Sequence, residues 1–388
     1  MRDKRKVKIF LNSRSSKVDA PTISEVDEIV PFHRTLPGYV PTPLVSLDRI
    51  AEKLGVARIL VKDEGKRFGL KAFKALGASY AVYKILQERS GGSLTGKDFL
   101  SERGRKLAEE ITFTCATDGN HGRALAWIAR LLGRPAVIFM PRGAAPSRID
   151  AIKSEGADVI VVEVGYDDAV ERASEEGEKR GWAVIADVGY PGYMEIPSHI
   201  QKGYMTIFRE TADQLAERGE KPPDIVFVQA GVGAFASAAA LFFSGPADRI
   251  RLVSVEPENA DCLFLSVEAG DGEVHSCPEF ANTIMAGLNC ETPSMSAWPI
   301  VRDRFDAFCT IEDRYAEEAM RLLAGEGIVS GESGAAGLGG LIALSNEMPG
   351  FIEEKFELKD DIHVLVINTE ADTDPEGYRR IVGKSLTN

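Results

Sequence analysis

ITFTCATDGNHGRALAWIARLLG, Ile111 to Gly133, reads as three pieces: a short apolar strand, a tight turn and an amphipathic helix. Gly119 and Gly122 permit the turn and leave backbone amides open to a close ligand. Asp-Gly-Asn also builds ordinary turns, with Asp118 as a helix cap, and taken alone the motif favours that plainer reading.

The same alternation runs through the chain. ARILVKD, AVIFM, DVIVVEV, WAVIAD, DIVFVQA, IRLVSVE and HVLVINT are further short runs, mostly rich in Val and Ile, and most are separated by amphipathic segments such as RIDAIKSEGA. Such alternation implies parallel sheets with helices on both faces, as one large sheet or two smaller ones. ERGEKPP, before DIVFVQA, is a candidate passage between two lobes. A pair of α/β lobes puts ligands in the crevice at the carboxyl ends of the strands. GGSLTGKDFLSERGR reads as a loop between helices, and the basic run Arg2 to Lys8 as a solvated arm leading into an edge strand.

With 388 residues and 44% hydrophobic content, the chain can bury sizeable cores. Its formal charge of -13 argues against nucleic acid and anionic membrane surfaces as partners. No stretch approaches the roughly 18 to 20 apolar residues that span a bilayer. Five cysteines, an odd number, argue for a reducing, cytoplasmic setting. Cys262, Cys277 and Cys290 share a loop-rich region and have the opportunity to pair, with free thiols the default. The histidines at 33, 121, 199, 275 and 363 show neither HExxH nor a Cys/His grouping, so no metal is expected.

Three more segments stand out. QAGVGAFASAAALFF, Gln229 to Phe243, places Gly231, Val232, Gly233 and Ala234 at a helix start, where amides and helix dipole together can cradle a phosphate. It is no P-loop, and no clear ribose-binding acid supports a dinucleotide fingerprint; tight helix packing is the alternative. SGESGAAGLGGLIAL, Ser330 to Leu344, carries five glycines, which suit close helix packing or a ligand contact. In NTEADTD, Asn368 to Asp374, Thr369 can offer a hydroxyl to a ring nitrogen, or the segment is a solvated acidic turn.

FGLKAFKALGASYAV, Phe68 to Val82, carries two lysines. On a helix from about Phe73 to Gln87, Lys74 shares the core-facing side with Ala78, Ala81, Val82 and Ile85, whereas Lys71 falls in the preceding turn. Lys74 either snorkels to solvent or is a desolvated amine of lowered pKa, able to attack a carbonyl and form a Schiff base.

YVPTPLVSL near residue 40, AFKALGA, TDGNHG and GVGA, in that order, resemble the fold type II pyridoxal-phosphate enzymes, the group of threonine and serine dehydratases with a tryptophan synthase β-like fold. Ala72 and Leu76 replace the serine and arginine usual in the dehydratases. FGLKAFKALGASYA, ATDGNHG, GYDDAV, DVGYPGYMEIPSHIQKGY and NTEADTD are instead similar to the 2,3-diaminopropionate ammonia-lyase subgroup.

The resemblance implies two α/β lobes, 1–77 with 216–388 as the large cofactor-binding one and 78–215 as the small one, and a homodimer. It implies that Lys74 carries the cofactor, that Asp118 and Asp187 are active-site acids, and that Phe73 and Asn120 contact the cofactor, Asn120 through the ring hydroxyl. Gly231 to Ala234 would hold the phosphate and Thr369 the pyridine nitrogen. The expected reaction is elimination of ammonia from D- and L-2,3-diaminopropionate to pyruvate, Lys74 deprotonating the L form and Asp118 the D form. The rivals are a threonine, serine or hydroxyaspartate dehydratase, a lyase of substituted cysteines, and a non-enzymatic nucleotide-binding module.

Overall fold

Val/Ile-rich strands with no polar face need cover on both sides, and the chain supplies it to most of them by placing them in parallel sheets backed by helices. The structure is a computed structural model that describes residues 7–14, 26–243, 250–277, 283–358 and 361–383. In chain order the strands are β1 (Lys8–Leu11), β2 (Leu44–Ser46), β3 (Arg58–Asp63), β4 (Phe113–Ala116), β5 (Ala136–Met140), β6 (Asp158–Val161), β7 (Ala183–Val184), β8 (Ile225–Gln229), β9 (Arg251–Pro257), β10 (Ala307–Ile311) and β11 (His363–Asn368). They form two sheets: seven strands in the order β1-β10-β9-β8-β11-β3-β2, and four in the order β6-β5-β4-β7. The smaller sheet is wholly parallel; the larger has a parallel centre with β1 and β2 antiparallel at its edges.

All eight strand runs read from sequence are present, although WAVIAD pairs over two residues only. The edge strand expected after the basic arm is β1; Arg2 to Lys6 of that arm lie outside the described residues. β2 and β10 were not foreseen. β10, AFCTI, is buried throughout and too short to show a period. Part of GGSLTGKDFLSERGR is helical, over Glu102–Leu107. ERGEKPP joins the long helix Glu195–Arg218 to β8.

The helix carrying the lysine region spans Ala75–Arg89, two residues later at each end than the apolar pattern suggested, with Lys74 at its N-cap position. It crosses Glu195–Arg218 where both helices have glycine. A Cβ on Gly77 would lie 2.5 Å from a Tyr204 ring carbon, and one on Gly203 2.6 Å from the Leu76 carbonyl oxygen. Small residues thus set the depth at which this helix seats.

A buried ion network fixes the same region from below. Arg67 forks to both oxygens of Glu210 at 2.8 Å and to those of Glu64 at 2.7 and 2.8 Å, while Lys62 reaches Glu210 at 2.8 Å. Thr42, from the YVPTPL segment, donates its hydroxyl to Glu64 at 2.5 Å. Burial alone would raise the Glu210 carboxyl, but Arg67 and Lys62 pull it down to about 2. His33 completes the brace, one ring nitrogen 2.9 Å from the Leu76 carbonyl in the first turn after Lys74. Burial first, and the nearby Arg67 charge, lower its pKa to about 3, so it is a neutral strut.

Candidate active site

Sheet order decides which turns meet. β8, β11 and β3 are neighbours, so their carboxyl ends bring Gly231–Ala234, Thr369 and Lys74 together. β4 and β7 are neighbours in the smaller sheet, and their ends deliver Asp118 and Asp187 to the same place. The result is a cleft of about 780 Å³ whose lining includes Phe73, Lys74, Asp118, Asn120, Asp187, Gly231, Val232, Gly233, Ala234 and Thr369. Tyr166 of GYDDAV also lines it.

Lys74 donates to Asp187 at 2.6 Å. Burial disfavours the ammonium, but the Asp187 carboxylate more than offsets that, so Lys74 is raised above the ordinary lysine range. This corrects the sequence expectation of a lowered pKa: hydropathy reports the burial of the position and cannot report a counter-ion from another sheet. Asp187 shows the mirror effect, burial opposing and Lys74 prevailing, and is held well below the usual carboxylate range. His121 reaches the Ile185 carbonyl with Nε2 at 2.6 Å, which fixes the proton there. Its Nδ1 lies 3.9 Å from Asp187, and burial depresses its pKa.

In the TDGNHG turn Gly119 has φ +148°, a conformation closed to ordinary side chains. The cap reading of Asp118 does not hold: the Thr117 hydroxyl accepts from the amides of Gly119 and Gly122, at 2.9 and 3.1 Å. Asn120 donates to Glu370 at 2.5 Å, and Thr373 donates to the same carboxylate oxygen at 2.8 Å. Lys71, the other lysine, is half-exposed and pairs with Asp372 at 2.7 Å, while its carbonyl accepts from Ala371. It pins the NTEADTD segment against the lysine turn.

The glycine turn after β8 opens the helix Ala234–Phe242. A Cβ at Gly231 would lie 2.8 Å from the Cys290 sulfur, and Gly233 has φ +95°, so both positions demand glycine. Behind the turn, Gln229 Nε2 lies 3.0 Å from the Thr369 hydroxyl and 2.8 Å from the Ile367 carbonyl. SGESGAAGLGGLIAL packs closely, as the first of its readings had it. A Cβ on Gly334 or Gly340 would come within 2.5 Å of a neighbour, and Ser333 lines the cleft. Cys262, Cys277 and Cys290 are free, as are Cys115 and Cys309. No group of three metal-ligating side chains occurs among the described residues.

Sequence reasoning missed Gln229, Arg148, Cys290 and Glu370 as cleft residues. Gln229 and Glu370 had a usable signal, being polar residues at or just past the carboxyl ends of apolar strands. Arg148 and Cys290 had none, since only packing brings them in.

The chain belongs to the pyridoxal-phosphate dependent enzymes, whose family pattern matches residues 35–355. Within that class it is 41% identical to the diaminopropionate ammonia-lyase of Escherichia coli strain K12 over 90% of this chain and 89% of that one. It is 40% identical to the diaminopropionate ammonia-lyase of Salmonella typhimurium, covering 92% and 91%. The crystal structure of the holo Escherichia coli enzyme superposes with a TM-score of 0.89 at 38% identity, covering 99% of both chains. The fold is that of a fold type II pyridoxal-phosphate enzyme, two α/β lobes with mainly parallel sheets covered by helices.

Proposed function

We propose that this protein converts 2,3-diaminopropionate and one water to pyruvate and two ammonia by pyridoxal-phosphate-dependent α,β-elimination, and that it accepts both enantiomers. The observation that carries the reading is the Lys74–Asp187 pair, at 2.6 Å, in a cleft that also holds a glycine turn at a helix start and a hydroxyl held by a glutamine.

The donor set fits the cofactor. Gly231 to Ala234 present amides at the start of a nine-residue helix for the phosphate. Thr369 offers a hydroxyl for the pyridine nitrogen, Asn120 an amide for the ring hydroxyl, Phe73 an apolar wall and Lys74 the amine. When bound, pyridoxal phosphate supplies the electron sink for the pair left at Cα.

Lys74 removes the α-proton of the L enantiomer and Asp118 that of the D enantiomer. Lys74 enters from the turn after β3 and Asp118 from the turn after β4, on separate sheets, which supports their serving opposite faces. Asp187 stabilises the ammonium that Lys74 becomes once it has taken that proton, and the carboxylates of Asp118 and Asp187 favour the β-amino group as an ammonium, the form in which it leaves.

The same reading divides the chain into 1–77 with 216–388, and 78–215; β4 to β7 forming a sheet of their own supports it. It includes a homodimer, as the family resemblance implies, and a cytoplasmic setting, which five buried free thiols support. Among the described residues no helix is long and apolar enough to cross a membrane.

The test is release of pyruvate and ammonia from D- and L-2,3-diaminopropionate, measured beside threonine and serine. Turnover of both enantiomers well above the hydroxyl substrates is expected. A preference for threonine or serine would overturn the reading.

A further inference from the structure

Gln229 ends β8, beside β11, the strand that leads into Thr369. It is buried, and its Nε2 touches four acceptors. They are the carbonyls of Ile367 at 2.8 Å, Ser333 at 3.1 Å and Gly334 at 3.1 Å, and the Thr369 hydroxyl at 3.0 Å.

These neighbours decide which way the amide faces. An oxygen in the place of Nε2 would meet three carbonyl oxygens, so the nitrogen stands there and its two hydrogens are shared among the four acceptors. Oε1, on the other side, is buried with no hydrogen-bond partner, and a Cβ on Gly337 would fall 3.2 Å from it. An amide nitrogen donates and does not accept. The contact with Thr369 therefore runs one way, from Gln229 to the hydroxyl oxygen. That hydroxyl belongs to a buried residue that lines the cleft, and it donates to no acceptor among the described residues. Its own proton is left for an atom inside the cleft.

Thr369 by itself does not settle the protonation of a ring nitrogen placed against it. A hydroxyl both donates and accepts, and beside a pyridinium it would turn a lone pair inward. Gln229 stands against that turn, because a hydroxyl that sends its proton away from the cleft meets an amide N–H there. We infer that Gln229 is a positioning residue for the cofactor: it fixes the Thr369 hydroxyl as a donor, so that the pyridine nitrogen is held as a bare acceptor. This role rests on reading the cleft as a pyridoxal-phosphate site with Thr369 at the ring nitrogen, and it makes a side chain outside the cofactor's immediate contacts the one that sets the strength of the electron sink.

The experiment loads cofactor isotopically labelled at the ring nitrogen and reads that nitrogen by NMR, without substrate. Wild type, Gln229→Met and Gln229→Glu are compared, each checked for cofactor content and fold. Gln229→Met keeps the length and removes the donor, so the hydroxyl is free to turn. Gln229→Glu puts an oxygen in the place of Nε2, which accepts from Thr369 whether or not it is ionised. The wild type should show the resonance of an unprotonated pyridine at neutral pH. Gln229→Glu should move it most of the way to that of a pyridinium, and Gln229→Met part of the way. A residue that merely packed the strand end would change cofactor content or stability and leave the resonance of the bound cofactor where it was. Equal resonances in the three forms overturn the inference, and so does a pyridinium signal in the wild type, which requires no variant to fold. Since no substrate is present, a failed diaminopropionate reading shows in turnover alone and leaves this comparison intact.

Discussion

The Lys74 ammonium lies 2.6 Å from the Asp187 carboxylate, although the two residues follow strands of different sheets. That contact ties the lobes together across the cleft. Lys74 titrates above its ordinary range because Asp187 outweighs burial. In Asp187→Asn the opposing charge is gone and burial is left to act alone, so Lys74 should titrate lower than in the parent. The pH dependence of amine modification at Lys74, followed by peptide mass, reads this directly; an unshifted profile would contradict the ion-pair assignment. Lys74→Ala should end covalent attachment of the cofactor and lower turnover by roughly 10²- to 10⁴-fold.

Asp118→Asn separates the enantiomers. Turnover of D-2,3-diaminopropionate should fall by roughly 10²- to 10⁴-fold, with the L form much less affected, since the proposed base for that face is Lys74. Initial rates on each pure enantiomer decide it. Equal losses on both would refute the assignment of faces.

Glu210 holds two buried cations, and its removal leaves Arg67 with Glu64 alone and takes from Lys62 the carboxylate it pairs with. Glu210→Ala should destabilise the fold by about 3–5 kcal/mol in denaturant titration. The wild-type contribution has a defined pH window. The folded pKa, about 2, lies below the ordinary glutamate value of 4.5. The stabilisation is therefore fully present above that ordinary value and lost as pH falls through the folded one. A variant whose stability matched wild type at neutral pH would show that the network contributes nothing.

Glu332 has the opposite sign. It is buried at the start of the helix Glu332–Glu347, and burial first, with Glu370 nearby, raises it to about 7 from an ordinary 4.5. The folded state then holds the proton more tightly than the unfolded chain, so stability falls as pH rises from about 4.5 through about 7. Glu332→Gln should flatten that fall. Melting temperatures of both forms from pH 5 to about 8 check it, and parallel curves would exclude Glu332 as the source.

Much of this was legible in the chain because the fold writes a repeated local signal. Apolar strands, glycine turns and amphipathic helices each depend on neighbours in sequence, so Gly119, Gly231 and Gly233 could be placed at strand ends, and Lys74 singled out as a lysine on an apolar face. Tertiary structure alone decided that β8, β11 and β3 lie side by side and that β4 and β7 do so in another sheet. Strand order is a property of long-range pairing, and it selects the counter-ion of Lys74, reverses the expected direction of its pKa and brings Arg148 to the wall of the cleft. Electrostatics depends on distance in space, which hydrophobic periodicity along a chain does not encode.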